Sequence, residues 1–241
     1  MGKRIIQQRR GRGTLTYRSP SHNFKGTLKL RKYDDVEKNK SIKGEIIELM
    51  HCPGHSAPLA KIKYENGETI LIAAPMKIKV NDEVFSGVNA PFGIGNILPL
   101  KNIPDGSMVY NIEAKPGDGG KFVKSSGVSA KILSRVDSNV VVQLPSKKKK
   151  MFNINCRAIV GEIAGGGRKE KPFVKAGKRF HAMRARGKLY PQTSGVAMNA
   201  VDHPFGSGRG RHAGKPTIAP RFAPPGRKVG MLKAKKTGRG K

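Results

Sequence analysis

Acidic residues are scarce in this chain: 16 Asp and Glu stand against 48 Lys and Arg over 241 residues, giving a formal charge of +32 and an isoelectric point near 10.6. A surplus of that size opposes compaction and demands a polyanionic partner. An acidic metabolite would engage only a few of these charges, and a membrane surface usually recruits a local cluster of about four to eight, so nucleic acid is the expected partner and a membrane is not. Tryptophan is absent, and hydrophobic residues reach only 37%. Globular chains usually hold about 45–50%, so part of this one is not packed core. Cysteine is limited to Cys52 and Cys156, which excludes a disulfide scaffold and leaves two reduced structural thiols as the expectation. No apolar run approaches the roughly 18 residues of a membrane span. The start, Met1-Gly2-Lys3-Arg4-Ile5-Ile6-Gln7-Gln8-Arg9-Arg10, turns basic before a signal peptide could form, and Ile6 stands where myristoylation wants Ser or Thr. A cytoplasmic location is expected.

What charge there is falls unevenly. Residues 1–33 hold 10 basic residues and no acid, residues 34–160 hold 18 against 13, and residues 161–241 hold 20 against 3. The last stretch also contains 15 glycines and 7 prolines, a composition typical of disordered chain. Met183, Leu189, Tyr190, Val196, Met198, Val201 and Phe205 punctuate it, unlike a plain linker. This pattern predicts basic arms, at 1–33 and 161–241, that become ordered on RNA around a folded middle.

The middle reads as strands. Ile42, Gly44 and Ile46, then Ala60, Ile62 and Tyr64, alternate with polar residues at period two. Asn66-Gly67 follows at once and predicts a hairpin with a type I′ turn. With a further strand over Met76–Val80, these segments predict a small closed barrel of the OB type over residues 34–83. After it, Ile97–Leu100, Met108–Ile112, Ala130–Leu133, Val140–Leu144 and Phe152–Ile154 are separated by turn-forming clusters. Five strands predict a second barrel, SH3-like, over residues 84–160. The fold class expected is mainly β, an OB-fold barrel followed by an SH3-like barrel, with long basic extensions at both ends. Lys147, Lys148, Lys149 and Lys150 are expected in a hairpin loop that contacts phosphate.

Catalytic and metal chemistry find little support. Asp202, His203 and Ser207 are close in sequence, but Gly206-Ser207-Gly208-Arg209-Gly210 lacks the strand that a nucleophile elbow needs. Adjacent Asp202 and His203 rarely orient each other as a base and its partner must. His51, Cys52 and His55 offer three metal donors and no nearby fourth, so a turn around Pro53-Gly54 explains them more simply and no metal is expected. No phosphate-binding loop or dinucleotide fingerprint occurs, so no cofactor is expected. Glycine interleaved with arginine has another use, because a bare backbone approaches phosphate closely while guanidinium groups bind it bidentately. Arg9, Arg10 and Arg12 in the first arm fit that use. So do Arg209 and Arg211 in the second, within Gly206-Ser207-Gly208-Arg209-Gly210-Arg211-His212, and Lys215, Arg179, Arg184 and Arg186 are expected as further RNA contacts. Compact barrels with long basic extensions favour folded RNA over duplex DNA, since extensions can thread irregular grooves.

Three segments carry a resemblance: Asn102-Ile103-Pro104-Asp105-Gly106-Ser107, Ala114-Lys115-Pro116-Gly117-Asp118-Gly119-Gly120, and the run from Gly195 to Gly206, GVAMNAVDHPFG. In order and spacing they resemble the large-subunit ribosomal protein L2 family, and Gln7-Gln8-Arg9-Arg10-Gly11-Arg12-Gly13-Thr14 resembles its archaeal branch. The resemblance implies two barrels and an extension lying on large-subunit rRNA near the peptidyl transferase region, with other ribosomal proteins as neighbours. It also implies a part in subunit association, across a bridge to the small subunit, and in tRNA binding. Magnesium ions associated with the rRNA would be expected. The family's debated histidine corresponds to His203, and Asn199 and Asp202 join it as expected RNA contacts. Bacterial relatives carry Pro at the position of Ala200 and a second His at that of Phe205, which favours a positioning role for the loop over a proton relay. Asp202 is expected to fix the His203 ring, and no residue is expected to be catalytic.

Overall fold

The computed structural model describes residues 2–208, 211–232 and 234. The chain divides into two compact units, Ser21–Pro172 and the paired ends Met1–Pro20 with Phe173–Lys241.

The first unit is built from ten strands in one continuous ladder. Four form an OB-fold barrel: β1 (Ser41–Met50), β2 (Leu59–Tyr64), β3 (Thr69–Ala73) and β4 (Glu83–Gly87). β1 lies between β2 and β4, antiparallel to both, and a bulge between Ile46 and Glu48 bends it. The alternation along β1 places Ile42, Gly44 and Ile46 inward. A Cβ at Gly44 would stand 2.8 Å from the Ile62 and Tyr64 side chains, so the missing side chain there admits the facing strand's large residues. The second barrel, SH3-like, holds β5 (Ile97–Pro99), β6 (Met108–Tyr110), β7 (Ala130–Val136), β8 (Asn139–Gln143), β9 (Lys149–Asn153) and β10 (Arg157–Val160). β10 closes it between β5 and β6. A single parallel pair, Ser86 with Ile97, joins the barrels. Ile97, Tyr110, Ile159 and Ile163 pack into the first barrel's core, and the Tyr110 hydroxyl donates to the Ala73 carbonyl at 3.0 Å.

Several expectations are corrected. The Asn66-Gly67 hairpin exists, but only Gly67 has positive φ, at 82°, so the turn is not type I′. Gly67 N donates to the Tyr64 carbonyl at 2.9 Å and Asn66 Oδ1 accepts from Glu68 N at 3.0 Å, which describes an ordinary turn ended by a left-handed glycine. Met76–Val80 is not a strand, since Lys77 turns to φ 69° and Asn81 to φ 70°; the pairing strand is β4. The second barrel has six strands rather than five. Leu28, Leu30 and Ile163 are buried, so the compact unit reaches beyond residues 34–160 at both ends.

A buried charge network crosses this unit. Arg157, 1% exposed, donates from Nη2 to Glu113 Oε1 at 2.8 Å and to the Arg31 carbonyl at 2.8 Å, while its Nη1 lies 3.4 Å from Glu37 Oε2. Glu113 also accepts from the backbone N–H groups of Gly117, Gly119 and Arg157. Arg31 pairs with Asp34, Glu37 and Glu68. Asp34 caps the short helix α1 of this unit, Asp35–Asn39, by accepting from Glu37 N. Four carboxylates thus hold two buried guanidinium groups whose desolvation would otherwise be prohibitive.

The paired ends form a different kind of body. Ile6–Arg10 and Ala176–Arg184 are helical, and neither segment has a buried residue. Among the described residues, the body's core consists of Ile5, Phe205 and Val229, with Val196 and Ala213 against them. Lys3 N donates to the Val201 carbonyl at 2.8 Å, tying the first residues to the distal loop.

Candidate nucleic-acid interface

The loop from Gly195 to Gly206 is closed by its own backbone. Asn199 O accepts from Asp202 N at 2.9 Å and His203 N at 3.2 Å, and His203 O accepts from Gly206 N at 2.9 Å. A Cβ on Gly206 would lie 2.3 Å from Asn199 O, and one on Gly195 would lie 2.4 Å from the His203 ring. Both glycines are therefore required for the loop to close.

His203 Nδ1 accepts from Phe205 N at 3.0 Å, and the two rings lie 5.3 Å apart. Burial holds the imidazole pKa below its ordinary 6.5, so the ring is neutral at pH 7. With Nδ1 accepting, the proton resides on Nε2, which leaves a donor and no free lone pair. Asp202 does not fix this ring as expected. Its Oδ1 faces Lys3 Nζ at 3.8 Å, and the ring is held by the Phe205 amide and the face of Gly195.

The structure distributes the other expected residues widely. Arg9 and Arg10 lie on the first helical turn and Arg12 just beyond it, all exposed; the Arg10 guanidinium sits 5.7 Å from the Tyr17 ring centre. Arg179 and Arg184 lie on the Ala176–Arg184 helix and Arg186 follows it, likewise exposed, with Arg179 5.2 Å from the Tyr190 ring. Arg211 and Lys215 are exposed, and Arg209 lies outside the described residues. Lys147 and Lys148 occupy a turn, Lys147 at φ 62°, whereas Lys149 and Lys150 begin β9. Lys150 is also engaged: its Nζ lies 3.9 Å from the Phe122 ring centre and 5.3 Å from that of Phe152.

Arg9, Asn199 and Asp202 do converge. They line a cavity of about 350 Å³, together with Arg4, Ile6 and Met198, which sequence reasoning missed. Arg4 and Arg9 continue into a second hollow with Lys3, Arg12 and Tyr17. The only signal for Arg4 was its place in the basic start of the chain. Cys52 and Cys156 are free and buried, and among the described residues no group of three metal-donor side chains comes together.

Two small barrels, and a body holding 23 Lys and Arg to one acid, define a nucleic-acid-binding protein. Comparison with known proteins makes this particular. Residues 2–86 match the model for "Ribosomal Proteins L2, RNA binding N-terminal domain" and residues 93–221 that for "Ribosomal Proteins L2, C-terminal domain". The chain is 55% identical over 239 residues to the large ribosomal subunit protein uL2 of Methanothermobacter thermautotrophicus, covering 99% of each chain. It is 53% identical over 238 residues to that of Methanobrevibacter smithii, again covering 99% of each. The chain belongs to the ribosomal protein L2 family and is of archaeal type.

Proposed function

We propose that the chain is a structural constituent of the large ribosomal subunit that binds rRNA, chiefly through the body formed by its two ends. Its place of action is then the ribosome in the cytoplasm, with other ribosomal proteins as neighbours. The observation that carries this reading is near full-length identity to archaeal uL2 proteins. The physics agrees, since a body with one acid among 23 basic residues neutralises phosphates and releases their counterions. In finer detail, Arg9, Arg12, Arg179, Arg184, Arg186 and Arg211 serve phosphate contact, and Arg10 and Arg179 lie 5.7 Å and 5.2 Å from the centres of tyrosine rings. Magnesium ions would come with the RNA.

The same reading includes support of the peptidyl transferase region, tRNA binding and a bridge to the small subunit. In it the Gly195–Gly206 loop positions RNA and does not carry protons. A general base needs a lone pair within reach of the reacting amine, and the His203 Nδ1 lone pair is held by Phe205 N–H. The test is competition: labelled large-subunit rRNA bound by the full chain should resist displacement by duplex DNA of equal phosphate content. Equal displacement would favour an architectural DNA-binding role instead.

A further inference from the structure

Asp202 is the single acidic residue in the body formed by Met1–Pro20 and Phe173–Lys241. A carboxylate on a surface that approaches phosphates is repelled by them, so its position calls for a compensating interaction. The pair with Lys3 supplies little. It is 3.8 Å long, between side chains 65% and 39% exposed, and solvent screening and side-chain entropy cancel most of the gain of so exposed a pair.

The cavity beside it offers a stronger reason. Its volume of about 350 Å³ falls within the range of small-ligand sites, roughly 300–1,000 Å³. Its two walls come from opposite ends of the chain and are fastened together by the Lys3–Val201 backbone bond and by Ile5 packed with Phe205 and Val229. Ile6 and Met198 give it apolar surface on which a base can rest, and Asn199 and Asp202 give it polar edges. Arg4 and Arg9 line this cavity and the adjoining hollow, where Lys3 and Arg12 extend the positive surface. A base slot that opens beside a track of guanidinium groups suits one unstacked nucleotide of RNA.

We propose that this cavity receives a single extrahelical guanine of RNA, read by Asp202. The inference rests on the RNA-binding reading above. Only guanine among the four bases presents two adjacent donors, N1–H and the N2 amino group, on its Watson–Crick edge, and a carboxylate accepts both. Its O6 then accepts from Asn199 or an arginine. Adenine and cytosine place a ring-nitrogen lone pair beside their amino group, and uracil offers one N–H between two carbonyls, so each would face the carboxylate with repulsion.

The test measures binding of the full chain, by fluorescence anisotropy at fixed salt, to short oligo(U) strands carrying one central G, A, C or no substitution. The guanine strand should bind about tenfold more tightly than the others, consistent with one bidentate contact. Asp202→Asn should abolish that preference, so that the guanine strand binds no more tightly than oligo(U). Lys3→Gln, which removes the ion pair and keeps the carboxylate, should retain the preference; its loss there would overturn base reading and leave arm-fixing as the role of Asp202. Because Asp202→Asn could loosen the loop, the RNA is altered in parallel, and 1-methylguanine should lose the advantage on the unchanged protein. Equal binding of all four strands with a steep salt dependence would overturn the proposal while leaving RNA binding intact. Binding without salt dependence would remove the RNA-binding reading itself. Displacement by micromolar free GMP would also overturn it, in favour of a mononucleotide site.

Discussion

The two bodies of this molecule treat charge in opposite ways. In Ser21–Pro172, Arg31, Glu37, Glu113 and Arg157 are almost fully buried, and each has an opposite charge within 3.4 Å. In the paired ends, 23 Lys and Arg accompany one acid, and the core is Ile5, Phe205 and Val229. The first body pairs its buried charges internally, although 25 Lys and Arg still stand against 15 acids in it, and it can fold by burying two apolar clusters. The second offsets almost none of its charge internally, so a bound polyanion should add to its stability.

If that contrast is right, substitutions should separate the bodies. The largest effect should come from Glu113→Ala, which leaves Arg157 without its closest partner and strips the carboxylate from Gly117, Gly119 and Arg157 N–H groups. Removing one partner of a buried pair costs about 3–5 kcal/mol, so thermal unfolding of the barrels should occur at markedly lower temperature. A change under about 1 kcal/mol would show that the network adds little to the stability of this body.

Phe205→Ala should act on the other body alone. Its ring is the largest member of a three-residue core, and its loss should cost about 2 kcal/mol, less than the 3–5 typical of a deep core. Proteolysis should then cut the free chain faster within residues 2–20 and around 200, while barrel unfolding stays unchanged.

His203 should have the smallest effect. Its lowered pKa means that the folded loop resists protonation that the unfolded chain accepts. Loop stability should therefore be constant above about pH 6.5, the ordinary imidazole value, and fall as the pH drops below it. His203→Gln should remove that dependence, as followed by protease sensitivity against pH. In reconstituted subunits the same variant should keep single-turnover peptide transfer within about tenfold. A loss of about 100-fold or more at normal tRNA occupancy would indicate proton transfer by the side chain.

Local patterns in the sequence led to most of the barrels. The alternation of Ile42, Gly44 and Ile46 marked β1, and Asn66-Gly67 marked the hairpin even though its turn type was misread. Met76-Lys77-Ile78-Lys79-Val80 imitates a strand because period two is also what a turn of alternating residues can show, and the positive φ of Lys77 has no signature in a lysine. β10 was missed because all four of its residues are buried and so do not alternate. It also opens with Arg157, which is buried only because Glu37 and Glu113 reach it from distant parts of the chain. The helix Ala176–Arg184 buries nothing and leaves no apolar stripe to read. The interface was half legible: composition marked the basic arms, whereas their closure on each other depends on Lys3 meeting Val201 and Ile5 meeting Phe205. Contacts across nearly two hundred residues leave no local trace.

The most direct test of the division of labour is the salt dependence of affinity for large-subunit rRNA, measured on the full chain and on residues 21–172. Each phosphate neutralised adds about 0.7–0.9 to the slope of log affinity against log salt. The fragment should fold, with its β-type circular dichroism intact, and should show a much shallower slope than the full chain. Equal slopes for the two, with the fragment folded, would place the phosphate contacts on the barrels and contradict the account.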